Sequence, residues 1–146
     1  LALSFIGAKA PEALLEAADS DVAEVRVAAI SALGDQIQKS DDRRAQNRVF
    51  QALDDISADV RAEAVTLIGK SCDAEDVEDI LVRKLTDQDT QVRKNTAMSL
   101  MKLEAFNAIE SIEAAKLTEK DESVKAVFNV AVNILSRDSQ AEQENE

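Results

Sequence analysis

Residues 19–34 read Asp19-Ser-Asp-Val-Ala-Glu-Val-Arg-Val-Ala-Ala-Ile-Ser-Ala-Leu-Gly34, and this stretch recurs three times downstream in altered form. The copies span residues 55–69, 87–101 and 119–133, and the last one diverges most. All four align on a valine, with spacings of 35, 32 and 32 residues between Val25, Val60, Val92 and Val124. A sustained period of this length is typical of stacked helical hairpins. We therefore predict a helical repeat protein.

Two further columns of the alignment are mostly small or apolar. They lie four and eight residues after each valine and contain Ala29, Ala64, Thr96 and Phe128, then Leu33, Ile68, Leu100 and Val132. Because residues four apart lie on the same side of an α-helix, the three columns share one helical face. We predict that this face forms the core.

The composition favours an all-α chain with an aliphatic core. Of the 146 residues 45% are hydrophobic, there is no Trp or Tyr, and three Gly and one Pro are few for an all-β fold. A net charge of −12 argues against nucleic acid as a partner and favours a basic or uncharged partner. The alternative is that the acidic surface only keeps the protein soluble. No apolar run approaches the roughly 20 residues that cross a bilayer, so we expect no membrane insertion and a cytoplasmic location, unless a parent protein is membrane-anchored.

The apolar pattern predicts a series of short helices. The first, Leu1–Gly7, aligns with the end of a second helix, which suggests a fragment of a longer protein whose exposed, truncated repeat could self-associate. We predict a polar loop at 35–42 with a cap at Asp41 or Asp42, a second cap at Asp73, and a disordered acidic tail at 138–146. The other helices are expected at 11–18, 22–34, 43–54, 58–70, 74–85, 90–103, 106–117 and 122–136.

The unit Pro11–Gly34 resembles the short HEAT-like repeat first associated with phycobilin lyases, and the resemblance extends to about Arg137. Tetratricopeptide and ankyrin repeats fit poorly, since both depend on Trp, Tyr or His residues that are absent. The resemblance implies a right-handed α-solenoid of stacked antiparallel hairpins over residues 1–137. It also implies that the chain could be a subunit or relative of a phycobilin lyase, which would bring a bilin to an acceptor protein.

Charged residues recur at fixed places in the repeat. We predict that the acids Asp21, Asp59 and Asp89 accept hydrogen bonds at helix starts, and that the bases Arg26, Arg61 and Arg93 bridge these acids to those of adjacent repeats. This ladder is interpreted as architecture. Gly34 and Gly69 either permit close helix packing or stop a helix.

The sequence offers little for catalysis. With no His, and Cys72 alone among acids, there is no nucleophile–base pair and no zinc cluster, so we expect no catalytic residue, metal or cofactor. The acids of residues 73–79 are spread along a helix, and a solvated face is the better interpretation.

One surface row is unexpectedly apolar. Positions two, six and nine residues after the valines should line the inner wall of the repeats. They are Val27, Ser31, Gly34, Ala62, Thr66, Gly69, Lys94, Met98, Met101, Ala126, Val130 and Asn133. We hypothesise a groove for a partner helix or peptide that includes the two methionines, flanked by Lys94 and Lys102 on one side and by acids such as Glu63 on the other. Packing between repeats is the alternative.

A basic cluster comprising Lys39, Arg43, Arg44 and Arg48 is a second candidate, for which a solvated helix start is preferred. The sequence thus predicts a non-catalytic protein-interaction scaffold of a larger bacterial-type protein. The alternatives are a phycobilin-lyase-like subunit and a regulatory domain of an enzyme.

Overall fold

A computed structural model of the chain describes residues 11–40 and 42–146, and every regular element within them is helical. Eight α-helices lie in this described part: α1 (Pro11–Ala17), α2 (Ala23–Ser40), α3 (Arg43–Gln51), α4 (Ala58–Ser71), α5 (Ala74–Lys84), α6 (Thr90–Lys102), α7 (Ile109–Thr118) and α8 (Glu122–Glu144). Short 3₁₀ helices, Ala52–Asp54 and Phe106–Ala108, follow α3 and precede α7. The predicted helix end at Leu1–Gly7 lies outside the described residues.

The chain divides into two compact units, with the boundary between Ser71 and Cys72. In the first unit α2 packs against α1, α3 and, most extensively, α4. In the second unit α6 packs against α5 and α8, and α7 packs against α8. Each unit therefore buries the faces of helices that are joined by short connections, as helical hairpins do.

The three predicted core columns are buried, with one exception. Val60, Val92, Val124 and Phe128 are fully buried, and only Val25 is half-buried. The buried hydroxyl of Thr96 is satisfied because it donates to the carbonyl oxygen of Val92 at 2.7 Å. The face predicted from four-residue spacing is therefore the core-facing side of α2, α4, α6 and α8.

The predicted loop at 35–42 is wrong, because α2 continues without interruption to Ser40. Gly34 lies inside this helix and permits a close approach to α4, since a Cβ atom there would lie 2.5 Å from Cδ2 of Leu67. Of the two roles considered for this glycine, close packing is the one observed. Residues 35–40 contain no Pro or Gly, and half-buried Ile37 gives the extension an apolar contact.

Aspartates cap several helices. The carboxylate of Asp42 accepts a hydrogen bond from the Arg44 N–H at 2.9 Å at the start of α3, as predicted, and Asp41 lies outside the described residues. Asp73 occupies the cap position of α5, but its side chain makes no capping hydrogen bond. Asp121 caps α8 by accepting from two backbone N–H groups.

The expected disordered tail at 138–146 is helical in the structure through Glu144. Helix continuation requires only local backbone hydrogen bonds, and Ala, Glu and Gln are good helix formers. No helix in the described part of the chain is long and apolar enough to cross a membrane.

Candidate functional site

The repeated arginines anchor successive hairpins by two-pronged ion pairs. In the first unit, Nε and Nη2 of Arg26 both donate to the carboxylate of Asp55 at 2.9 Å. In the second unit, the corresponding atoms of Arg93 donate to Glu119 at 2.7 and 3.0 Å. Nη1 of Arg26 also donates to the carbonyl oxygen of Ser20, and Nη1 of Arg93 donates to the carbonyl oxygen of Asp87. Each of these carbonyls lies in the turn that precedes the arginine's own helix. Arg61 donates similarly to the carbonyl of Asp55 at 2.9 Å.

The acids of this ladder differ from those predicted. Arg26 binds Asp55 and Arg93 binds Glu119. Each of these acids is the first residue of the next copy of the repeat stretch. Asp89 instead caps α6 by accepting from the Gln91 and Val92 N–H groups. The exposed side chains of Asp21 and Asp59 form no hydrogen bond with the described residues. Asp59 already lies within α4, one residue before the aligned valine, so it is not equivalent to Asp89.

The two arginine–carboxylate pairs, Arg26 with Asp55 and Arg93 with Glu119, have similar electrostatics. Burial by itself would raise the pKa of both Asp55 and Glu119. Hydrogen bonds from Arg26 and Arg93, assisted by backbone N–H groups, outweigh burial and hold both pKa values below their usual range. All three guanidinium nitrogens of Arg26 and of Arg93 donate hydrogen bonds within the protein. These two arginines therefore stabilise the repeats and offer no free group for chemistry.

The apolar row behaves differently in the two units. In the first unit Gly34, Ala62 and Gly69 are buried in helix packing, which is the alternative considered for this row. Val27 and Ser31 are half-buried, and exposed Thr66 donates to the carbonyl of Ala62 on its own helix at 3.1 Å. In the described part of the first unit, Gly34, Ala62 and Gly69 are therefore used for packing between helices.

In the second unit the row borders an open apolar cavity between α6 and α8. Its volume is about 220 Å³, and it is lined by Met98, Met101, Val127, Val130 and Ala131. Met98 is 45% exposed and Val130 is 52% exposed. The cavity therefore combines a wholly apolar lining with an opening to solvent.

Two lysines lie on the same helix as the methionines. Lys94 is one turn before Met98 and exposed Lys102 is one turn after it, so all three lie on one face of α6. Among the described residues, neither lysine side chain has an ion-pair or hydrogen-bond partner. Ala126 and Asn133 are exposed on α8, where they flank Val130 at corresponding positions.

The remaining candidates are already engaged or inert. Burial and the neighbouring carboxylates of Asp76 and Asp73 raise the pKa of the half-buried Cys72 thiol, which disfavours the reactive thiolate. In the basic cluster Arg44 pairs with Glu12 and Asp42, and Arg48 pairs with Asp19, while Lys39 and Arg43 are exposed. Among the described residues no cluster of acids or cysteine could hold a metal ion.

Val127 and Ala131 were not singled out from the sequence, although they line the cavity. They lie three and seven residues after Val124, immediately beside the row counted at two, six and nine. A helical wheel drawn for a wider face would have included them. Only the spacing between α6 and α8, however, shows that a cavity remains there.

Comparisons with known proteins agree with this architecture. The family described as HEAT repeats matches residues 46–133. The bilin biosynthesis protein MpeU of Synechococcus sp. (strain WH8020) is 44% identical over 137 residues, which are 94% of this chain and 46% of that protein. The chain thus spans about half the length of this curated relative.

A crystal structure of an engineered protein from the Northeast Structural Genomics Consortium is similar with a TM-score of 0.54 and 22% identity, over 90% of this chain and 64% of that one. At this identity the likeness shows the fold alone. The all-α repeat class predicted from the sequence is confirmed.

The functional interpretation is corrected by the same comparisons. A non-catalytic interaction scaffold was the leading prediction, and similarity to a bilin biosynthesis protein over nearly the whole chain overturns it. The alternative, a phycobilin-lyase-like subunit, is the one that this similarity favours. The sequence led to the scaffold because the repeat motif consists of structural residues.

Proposed function

This chain belongs to the HEAT-repeat family, and from that premise we propose that it acts in bilin biosynthesis as the bilin-binding part of a lyase-type protein. The observation that carries the proposal is the 44% identity to MpeU over 94% of the chain. In this role the chain holds a linear tetrapyrrole and presents it to an acceptor protein. Protein contact of this kind is a common use of the extended surfaces of helical repeats.

The cavity between α6 and α8 is the proposed bilin site. The faces of the pyrrole rings are flat and largely apolar, and Met98, Met101 and Val130 offer an adaptable surface for them. At about 220 Å³ the cavity is smaller than the roughly 300–1,000 Å³ of typical ligand pockets. It therefore takes one part of a bilin, and the remainder lies along the exposed faces of the two helices.

The contribution of this chain to the reaction is binding and orientation. It contains no His, and the raised pKa of the Cys72 thiol makes that residue a poor nucleophile. A covalent intermediate on this chain is therefore not part of the proposal. Holding the bilin in one orientation toward an acceptor accelerates the transfer by proximity.

The proposal is tested by titrating biliverdin into the purified chain and recording visible absorbance and circular dichroism. We expect a shifted absorption band and an induced dichroic signal, both saturating. Val130→Glu should weaken binding by about tenfold or more, because it places a charge in the apolar wall. The matched control is Leu117→Glu, at a residue that is 85% exposed on α7 and outside the cavity.

Two results would contradict the proposal in different ways. If the wild-type chain leaves the biliverdin spectrum unchanged, the proposed function is wrong. If the wild-type chain binds but Val130→Glu binds equally well, the location of the site is wrong. Far-ultraviolet dichroism of each variant verifies that the helices are retained.

A further inference from the structure

Lys94 and Lys102 are two cations of α6 that are available for contact with a ligand. Most of the arginines are engaged, as Arg26 and Arg93 are by acids of the next hairpin. The lysines are paired less often, since Lys125 contacts Glu122 at 3.1 Å whereas Lys70 and Lys120 have no ion pair among the described residues. Within the described part of the chain, no carboxylate oxygen lies within ion-pairing distance of Lys94 or Lys102, so both ammonium groups can contact a ligand.

The surroundings of the two lysines explain why they stay unpaired. On α8 the positions that correspond to the row on α6 are Ala126, Val130 and Asn133, none of them acidic. The pKa of Asp121 is lowered mainly by the hydrogen bonds that its carboxylate accepts from Ser123 and from the Val124 N–H. The nearby charge of Lys94 makes a smaller contribution in the same direction. That carboxylate is already occupied as the cap of α8.

The two lysines lie one helical turn before and one after Met98, a residue that lines the apolar cavity. Eight residues separate Lys94 from Lys102, which corresponds to about 12 Å along the helix axis. Met98 lies midway between them and lines the cavity. Because lysine stems are long and flexible, the two ammonium groups can approach a pair of carboxylates at most separations up to this distance.

We propose that Lys94 and Lys102 bind the two propionate carboxylates of the bilin, so that the cavity selects a tetrapyrrole whose two propionates are ionised and not esterified. This inference rests on the proposed function, and it adds the charge requirement of the site. The pyrrole rings contact Met98, Met101 and Val130, and each propionate extends toward one end of α6.

The net charge of −12 does not prevent this binding. At physiological ionic strength charges are screened beyond a Debye length of about 8 Å, so distant acids repel the ligand only weakly. A lysine in direct contact with a propionate is within that length. Local charge at the cavity therefore decides the sign of the interaction.

The test compares biliverdin with biliverdin dimethyl ester, whose propionates are uncharged, on the wild-type chain and on three variants. Lys94→Gln and Lys102→Gln should each weaken biliverdin binding about two- to fivefold, the range of exposed ion pairs, and the double variant about tenfold. Affinity for the ester should not change in any variant. Lys120→Gln, at an exposed lysine in the turn before α8, is the matched control for the loss of one charge.

The outcomes separate this inference from the function on which it rests. If the wild-type chain binds neither compound, the proposed function fails. If it binds acid and ester equally, or prefers the acid but is unaffected by both lysine substitutions, bilin binding stands and the lysine assignment is overturned. A preference for the acid of about tenfold that disappears in the double variant, and not in Lys120→Gln, supports the assignment.

Discussion

Replacement of Gly34 by alanine provides a quantitative test of how α2 packs on α4. The new Cβ would lie 2.5 Å from Cδ2 and 3.0 Å from Cδ1 of Leu67. Carbon atoms in contact prefer separations of about 3.5–4.0 Å, so the leucine side chain must shift by about 1 Å. Leu67 is only 7% exposed, which leaves it little room to move toward solvent.

Two opposing effects determine the size of the change. Alanine is favoured over glycine inside a helix by about 1 kcal/mol. Overpacking of a buried contact typically costs about 1–3 kcal/mol. We therefore expect Gly34→Ala to lower the free energy of unfolding by about 1 kcal/mol, although an ordinary helix would gain stability from the same substitution.

A double-mutant cycle with Leu67→Ala isolates the contact. This substitution removes all three leucine atoms that the new methyl group would meet. In the Leu67→Ala background, Gly34→Ala should raise the free energy of unfolding by about 1 kcal/mol, so that the two sites couple by about 2 kcal/mol. The measurement is urea unfolding followed by circular dichroism at 222 nm. If Gly34→Ala is equally stabilising in both backgrounds, the close approach of the helices is not what requires glycine.

Two further predictions concern ionisable groups. Because the pKa of Glu119 is lowered in the folded state, its contribution to stability is full above its unfolded pKa of about 4.3 and is lost as the pH falls through the lower folded value. Glu119→Gln should therefore cost about 1–3 kcal/mol in urea unfolding at pH 7 and much less near pH 3; an equal cost at both values would contradict the ion pair with Arg93. Because the pKa of the Cys72 thiol is raised, its alkylation by iodoacetamide at pH 8 should be slower in the folded chain than in urea. Equal rates in the two states would indicate an unperturbed thiol.

Local spacing was sufficient to predict the helices and their buried faces. Residues four apart share a helical face whatever surrounds the helix, so the columns that begin at Val60, Val92 and Val124 identified the core correctly. Caps such as Asp42 and Asp89 depend only on the adjacent backbone and were also predictable. The errors at residues 35–42 and 138–146 arose where polar residues were taken to be incompatible with a helix, although polar residues are ordinary on an exposed helical surface.

The tertiary structure decided which residues meet across hairpins. Arg26 binds Asp55, 29 residues away, and Arg93 binds Glu119, 26 residues away. Such pairs depend on the rotation and offset of one hairpin against the next, which no local pattern encodes. The same reason explains why one apolar row is buried around Gly34 in the first unit and yet opens into a cavity at Met98 in the second. The repeat stretch at residues 19–34 determined the kind of element, and the packing of helix against helix decided where a ligand could bind.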